Sequence, residues 1–274
     1  MREGDCRMES QMLDDALVAA CDVARKAGAI HKDLVQSDNV VRRKNHLDIV
    51  TAADIQAEQA IISDLARHFP EHLFSSEELY SVQMDDMQSH VPWRWIIDPL
   101  DGTINYANGL PFYSVSLALQ YFNETVLAVV YDTTSGTLYS AQKGKGAFKN
   151  DLPLQVSSEK HLSNSVLSFM LTSHYSQAEI DQILQLVNAL ARKTRGLRLF
   201  VSQALELAFI AEGKLQGTVC IKSRGFSSAA GALLVREAHG QVTDLYGNNF
   251  GNASRSIVAT NHFIHEDVLR SITI

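Results

Sequence analysis

Apolar residues recur at helical spacing from Leu13 through Leu17, Ala20, Ala24 and Ala27, which predicts a helix near the start of the chain. The residues ahead of it, Met1-Arg2-Glu3-Gly4-Asp5, hold no apolar run and read as a short tail. A polar stretch over 38–47, with Arg42, Arg43 and Lys44, reads as a loop, and a second helix follows Asp54 through Ala57, Ala60, Ile61 and Leu65. After apolar Leu73-Phe74, Ser75-Ser76-Glu77-Glu78 reads as a turn. Trp95-Ile96-Ile97 is uncharged, aromatic and β-branched, so it predicts a buried strand that ends at Asp98-Pro99. Next, Tyr113, Val115, Leu117, Leu119 and Tyr121 alternate with Ser114, Ser116, Ala118 and Gln120, the period of a strand with one buried face. Turns at Asn123-Glu124 and 132–136 then separate strands over 125–131 and 137–141, and glycine-rich Lys143-Gly144-Lys145-Gly146 reads as a hairpin connection. The result is an antiparallel meander.

Beyond Asp151-Leu152-Pro153 the pattern changes to strands alternating with helices. Ser176 and Glu179 form a capping box ahead of Ile180, Ile183, Leu184, Val187 and Leu190. A further helix over 202–212 stops at Gly213, and another runs from near Ser228 to His239, before Gly240. The fold class is therefore α+β in the first half and α/β in the second, with domains expected over 1–152 and 153–274.

At 274 residues the chain has ample material for a sizeable core, and its composition is that of an ordinary soluble protein. A net charge of −7 argues against a general nucleic-acid-binding surface. Cys6, Cys21 and Cys220 are odd in number and widely spaced, which points to a reducing, cytoplasmic setting. No stretch is apolar enough to span a bilayer, so no membrane partner is expected. The histidines form no His-Glu-x-x-His motif, and no glycine-rich nucleotide cradle opens a helix.

The candidate chemistry is acidic. Pro99 pushes Asp98 out of the α region and Gly102 tolerates backbone angles other residues avoid, so 98–102 reads as a rigid turn. Two carboxylates three residues apart, Asp98 and Asp101, can face one point with the Leu100 carbonyl between them, a cluster of hard oxygens that suits Mg²⁺. The alternative is an Asp-Pro turn whose second Asp is solvated. Likewise Glu77 and Glu78 can be a solvated loop, and Asp54 can simply favour a helix's first turn.

Taken in order, 48–54, Glu77-Glu78, 98–106, 143–148, Ala229-Ala230-Gly231 and 235–240 resemble the inositol monophosphatase family of Mg²⁺-dependent phosphomonoesterases over nearly the whole chain. The resemblance implies a layered αβαβα sandwich, a homodimer, a small-molecule phosphate ester as substrate and two or three Mg²⁺ sites. Residue by residue, it implies that Glu77, Asp98 and the Leu100 carbonyl hold a first metal and that Asp98 with Asp101 reaches a second. Asp54 would support a third through water, Thr103 with Glu77 would orient the attacking water, and the N–H groups of Gly102 and Thr103 would bind phosphate at a helix N-terminus. It also implies that the loop at 38–47 closes over the metals.

Three departures fall on the substrate side. Phe226-Ser227 stands where the family carries Trp-Asp, so a neutral hydroxyl replaces a second-site ligand, and a weakened second site is expected. Serine, like aspartate, is a good N-cap, so the fold survives the change. Cys220 stands where inositol-processing members have an acidic residue touching the ring, and Val201-Ser202-Gln203-Ala204 replaces Gly-Ser/Thr-Ala-Ala. The leading reading is hydrolysis of a small sugar or polyol phosphate with the substrate shifted from inositol phosphate, Ser227 and Cys220 on its substrate side. Alternatives are a catalytically weakened relative acting as a binding or regulatory module, and an enzyme for a nucleotide or sugar bisphosphate, of which the sequence gives no positive sign.

Overall fold

The computed structural model describes residues 3–35, 40–43, 49–78, 91–172, 175–223 and 225–272, the side chains of 3–9 and 40–43 excepted. Asp38, Lys44, Leu47 and Asp48 lie outside the described residues. The first helix is longer than its apolar spacing suggests: α1 spans Glu3–Leu34, so the expected tail is helical from Glu3. Part of the expected loop is also ordered, because β1 (Val40–Arg43) pairs antiparallel with β2 (Ile49–Thr51). α2 (Ala52–His68) starts with a capping box between Thr51 and Asp54.

A seven-stranded sheet follows in the order β3 (Leu73–Ser76), β4 (Trp93–Asp101), β5 (Ser114–Tyr121), β6 (Glu124–Asp132), β7 (Thr137–Gln142), β8 (Gly146–Lys149) and β9 (Leu152–Pro153). Ser75 and Ser76, expected in a turn, belong to β3, which runs parallel to β4 and so satisfies its backbone there. The second sheet has the order β11 (Gly196–Arg198), β10 (Val166–Phe169), β12 (Gly217–Cys220), β14 (Ile257–Thr260) and β13 (Gln241–Thr243). Its remaining helices are α4 (Gln177–Ala191), α5 (Gln203–Ala211), α6 (Ser228–Glu237) and α7 (His265–Ile272). Ser176 and Glu179 form the expected capping box on α4.

Three apolar clusters show how these elements stack. Ala16, Ala20 and Ala24 of α1 and Ile61 of α2 pack with Ile97, Val115, Leu117 and Leu119 on one face of the large sheet. On its other face Ile96, Ala118 and Val130 meet α5 and α6, which also contact Val242 and Ala259 of the small sheet. Leu167 and Val219 face Ile183 and Leu186 of α4 and Val268 of α7. The order is helix, sheet, helix, sheet, helix, the αβαβα sandwich. It corrects the reading of β5, which is buried on both faces because helices cover both. Leu184, expected on the buried side of α4, is exposed, and Leu186 is buried instead. α5 and α6 approach closely at Gly231, where a Cβ would lie 2.5 Å from Leu207. Among the described residues, no helix is long and apolar enough to cross a membrane.

A buried histidine ties down the C-terminal layer. His265 sits between the hydroxyls of Thr243 and Thr260, 2.9 Å from each, and burial lowers its pKa to about 4. An unfolded histidine titrates near 6.5, so between pH 6.5 and 4 the unfolded chain takes up a proton that the folded one refuses. His265 therefore adds no penalty above pH 6.5, and stability falls by up to about 3 kcal/mol as the pH drops toward 4. Urea midpoints measured at pH 7 and pH 4.5 are expected to differ less in His265→Gln than in the parent. An equal midpoint difference between the two pH values in the two proteins would refute the assignment.

Candidate active site

The site is built where β4 leaves the core. Side chains alternate along a strand, so Asp98 shares the face of Ile96, toward α5 and α6. By the same alternation residue 101 would point the opposite way. The strand does not end at Asp98 as its sequence suggests but continues to Asp101 through an irregularity: Asp98 pairs with Ser116 and Asp101 with Ser114, three residues on β4 against two on β5. The extra residue returns Asp101 to the face of Asp98. Pro99, which has no N–H for the ladder, falls inside that irregular stretch.

Each carboxylate is then held. Asp98 is buried, and its Oδ2 accepts a hydrogen bond from Ser227 Oγ at 2.6 Å. Ser227 occupies the N-cap position of α6 but makes no capping bond. This corrects the expected role: its hydroxyl proton goes to a carboxylate, the stronger acceptor. Asp101 accepts from Ser202 Oγ at 2.6 Å, from the N–H of Gln203 at 3.1 Å and of Ala204 at 2.9 Å, and from Ser114 Oγ at 3.3 Å. Asp101 thus caps α5 from a distant part of the chain, and it is not the solvated turn residue of the alternative reading. Burial pushes its carboxyl up to about 6, the α5 donors pull it down, and the charge of Glu77 adds to the rise.

Thr103 joins the turn to α2. Its Oγ1 lies 3.0 Å from Asp54 Oδ1 and 3.0 Å from the Leu100 carbonyl, while Asp54 Oδ2 accepts from the Thr51 N–H at 2.8 Å. Asp54 is therefore both a first-turn helix residue and a contact of the acidic turn. Glu77, half-buried, follows Ser76, which is in register with Ile97, so it leaves β3 level with Asp98. Gly102 adopts φ 92° at the start of the short α3 (Thr103–Ala107), and a Cβ there would lie 2.9 Å from the Phe112 carbonyl oxygen. Both the angle and the space require glycine. Cys220, expected on the substrate side, is buried in the core between the sheets with its thiol 3.6 Å from the Tyr175 hydroxyl, and burial raises its pKa to about 11.

Ser202, Gln203 and Ala204 were not legible as partners of Asp101, because contacts spanning about a hundred positions leave no local signal, and Ser114, on the neighbouring strand, was not because its contact depends on the irregular register of β4. Among the described residues no three His, Cys, Asp or Glu side chains form a ready-made cation cage. The donor chemistry still suits a hard divalent ion: buried carboxylates at one strand end, a neighbouring carbonyl, and a like charge on Glu77 that a cation would relieve. The Ser116 hydroxyl, in register with Asp98, is buried without a partner, as expected beside an incompletely satisfied polar site.

Known proteins carry the same architecture. Inositol monophosphatase 1 of Solanum lycopersicum is 33% identical over 261 residues, 95% of each chain. The Nus factor SuhB of Pasteurella multocida is 33% identical over 262 residues, covering 95% of this chain and 96% of its own. The crystal structure of the extragenic suppressor protein suhB from Bartonella henselae superposes with a TM-score of 0.87 at 31% identity, over 94% of this chain and 98% of that one. Residues 12–273 match the inositol monophosphatase family, and the chain belongs to it.

Proposed function

We propose that this protein is a Mg²⁺-dependent phosphomonoesterase acting on a small sugar or polyol phosphate. The observation that supports it best is the irregularity in β4, which turns Asp98 and Asp101 to one face at the level where Glu77 leaves β3. In this reading Glu77, Asp98 and the Leu100 carbonyl would hold one Mg²⁺ and Asp98 with Asp101 a second, weaker one, the weakness following from Ser227. Bound Mg²⁺ would supply charge to polarise the phosphoryl group and lower the pKa of the attacking water.

The chain's own residues do the positioning. Thr103 directs its proton to Asp54 or to the Leu100 carbonyl, which leaves an oxygen lone pair to accept a hydrogen bond from the attacking water. Glu77 would accept that water's other proton, fixing its approach. The N–H groups of Gly102 and Thr103 would meet the phosphoryl oxygens. Glu77→Gln and Thr103→Ala are each expected to cut phosphate release on the order of 100-fold with unchanged circular dichroism. Full turnover in either variant would overturn the mechanism.

A second reading, a binding or regulatory module, is favoured by the Ser227 hydroxyl engaging Asp98 where the family places a carboxylate. Phosphate release from a panel of sugar, polyol and nucleotide phosphates, with and without Mg²⁺, separates the two. Mg²⁺-dependent release from one class supports the enzyme, and none from any supports the module.

A further inference from the structure

α5 is apolar at every position except Gln203 and Glu206. Glu206 is fully buried between the sheets, a costly place for a carboxyl group. Its cradle is specific: Oε2 accepts from Ser168 of β10 at 2.6 Å and from Thr218 of β12 at 3.1 Å, and Oε1 accepts from the main-chain N–H of Val201 at 3.1 Å. Val201 is the strained residue of the turn. Its φ is 60°, a left-handed angle that a β-branched side chain disfavours. Directly after it come the Ser202 hydroxyl and the N–H groups of Gln203 and Ala204, all three donated to Asp101. Two buried acids therefore share one turn, Glu206 holding it from behind and Asp101 being held in front.

We propose that Glu206 is a positioning residue for Asp101: by fixing the N–H of Val201 it keeps the strained turn in the one conformation that aims Ser202, Gln203 and Ala204 at the Asp101 carboxylate. Packing alone does not account for the arrangement, since an apolar residue would fill the helix position without pinning residue 201. The consequence for catalysis rests on the proposed role of Asp101 as a metal ligand. The consequence for the turn does not.

The test is amide hydrogen exchange on the full chain without metal, followed by Mg²⁺ titration of turnover. In Glu206→Gln, which replaces one accepting oxygen of the cradle by an amide NH2 that cannot accept, the amides of Gln203 and Ala204 are expected to exchange about tenfold faster. Glu206→Ala is expected to raise exchange on the order of 100-fold, with the amides of β6 unchanged. Val201→Gly adopts the left-handed angle without strain, so in the Glu206→Gln background it should bring the acceleration down to about twofold. In parallel, the Mg²⁺ concentration for half-maximal turnover should rise about tenfold in Glu206→Gln, with kcat at saturating Mg²⁺ within about twofold of the parent, and Val201→Gly should reverse that rise. Should Glu206→Ala fail to fold, Glu206→Gln and its double variant carry the test alone. A folded Glu206→Gln with parental exchange at Gln203 and Ala204, or a double variant as fast as the single one, overturns the proposal. If exchange responds while Mg²⁺ dependence moves neither here nor in Asp98→Asn, the positioning role stands and the metal assignment falls.

Discussion

Asp98→Asn is expected to lose Mg²⁺ affinity on the order of 100-fold, and turnover with it, while remaining folded. Asp98 is the carboxylate proposed to serve both metals, so no other single change removes as much of the donor set. The fold should tolerate the substitution. An Asn side-chain oxygen can still accept the Ser227 hydrogen bond made at 2.6 Å, and the shape is preserved. Removing one buried negative charge near Glu77 and Asp101 should leave the metal-free protein as stable as the parent, or more stable by about 1 kcal/mol. Calorimetric titration with Mg²⁺ and thermal melts without it check the two halves separately. Unchanged Mg²⁺ binding in Asp98→Asn would falsify the site, and a large loss of stability without metal would show that Asp98 is a structural residue.

Ser227→Asp is expected to work in the opposite direction and to make stability conditional on metal. Ser227 donates to Asp98 across 2.6 Å, so a carboxylate in its place faces another carboxylate at close range. Without a cation the pair repels, one hydrogen bond is lost, and the cost is about 2 kcal/mol, a fall of several degrees in the melting midpoint. The capping bond is not at stake, because Ser227 makes none. With Mg²⁺ the same two carboxylates complete the second site. Binding then recovers the stability by mass action, and turnover on a generic phosphomonoester rises as the leaving oxygen gains charge stabilisation. The measurements are melting midpoints against Mg²⁺ concentration and phosphate release. A folded Ser227→Asp protein with the parent's Mg²⁺ dependence and rate would show that residue 227 does not control the second ion.

Much of this was legible in the sequence because it rests on local rules. The periodicities over 13–27, 57–65 and 113–121 place α1, α2 and β5, the Ser176 and Glu179 pair places α4, and the glycine at 102 marks the left-handed residue ahead of α3. The acidic residues Asp54, Glu77, Asp98 and Asp101 stood out as a set, and their motifs identified the family. Each of these signals is carried by residues a few positions apart, where backbone sterics and side-chain spacing act directly.

Tertiary structure decided the rest. The parity of a strand puts residues 98 and 101 on opposite faces; only the two-against-three pairing of β5 with β4 brings both carboxylates to one side. The burial of both faces of β5 depends on α5 and α6, which lie far along the chain. Serine at 227 reads as a cap by local preference, yet its hydroxyl donates a hydrogen bond to a carboxylate of β4, and the depth at which Cys220 is buried has no signal in its neighbours along the chain. The sequence by itself determined which chemical groups are present and which short segments fold around them. Which of those groups face one another was decided by strand register and layer packing, because hydrogen bonds and burial act on distance in space, to which separation along the chain is no guide.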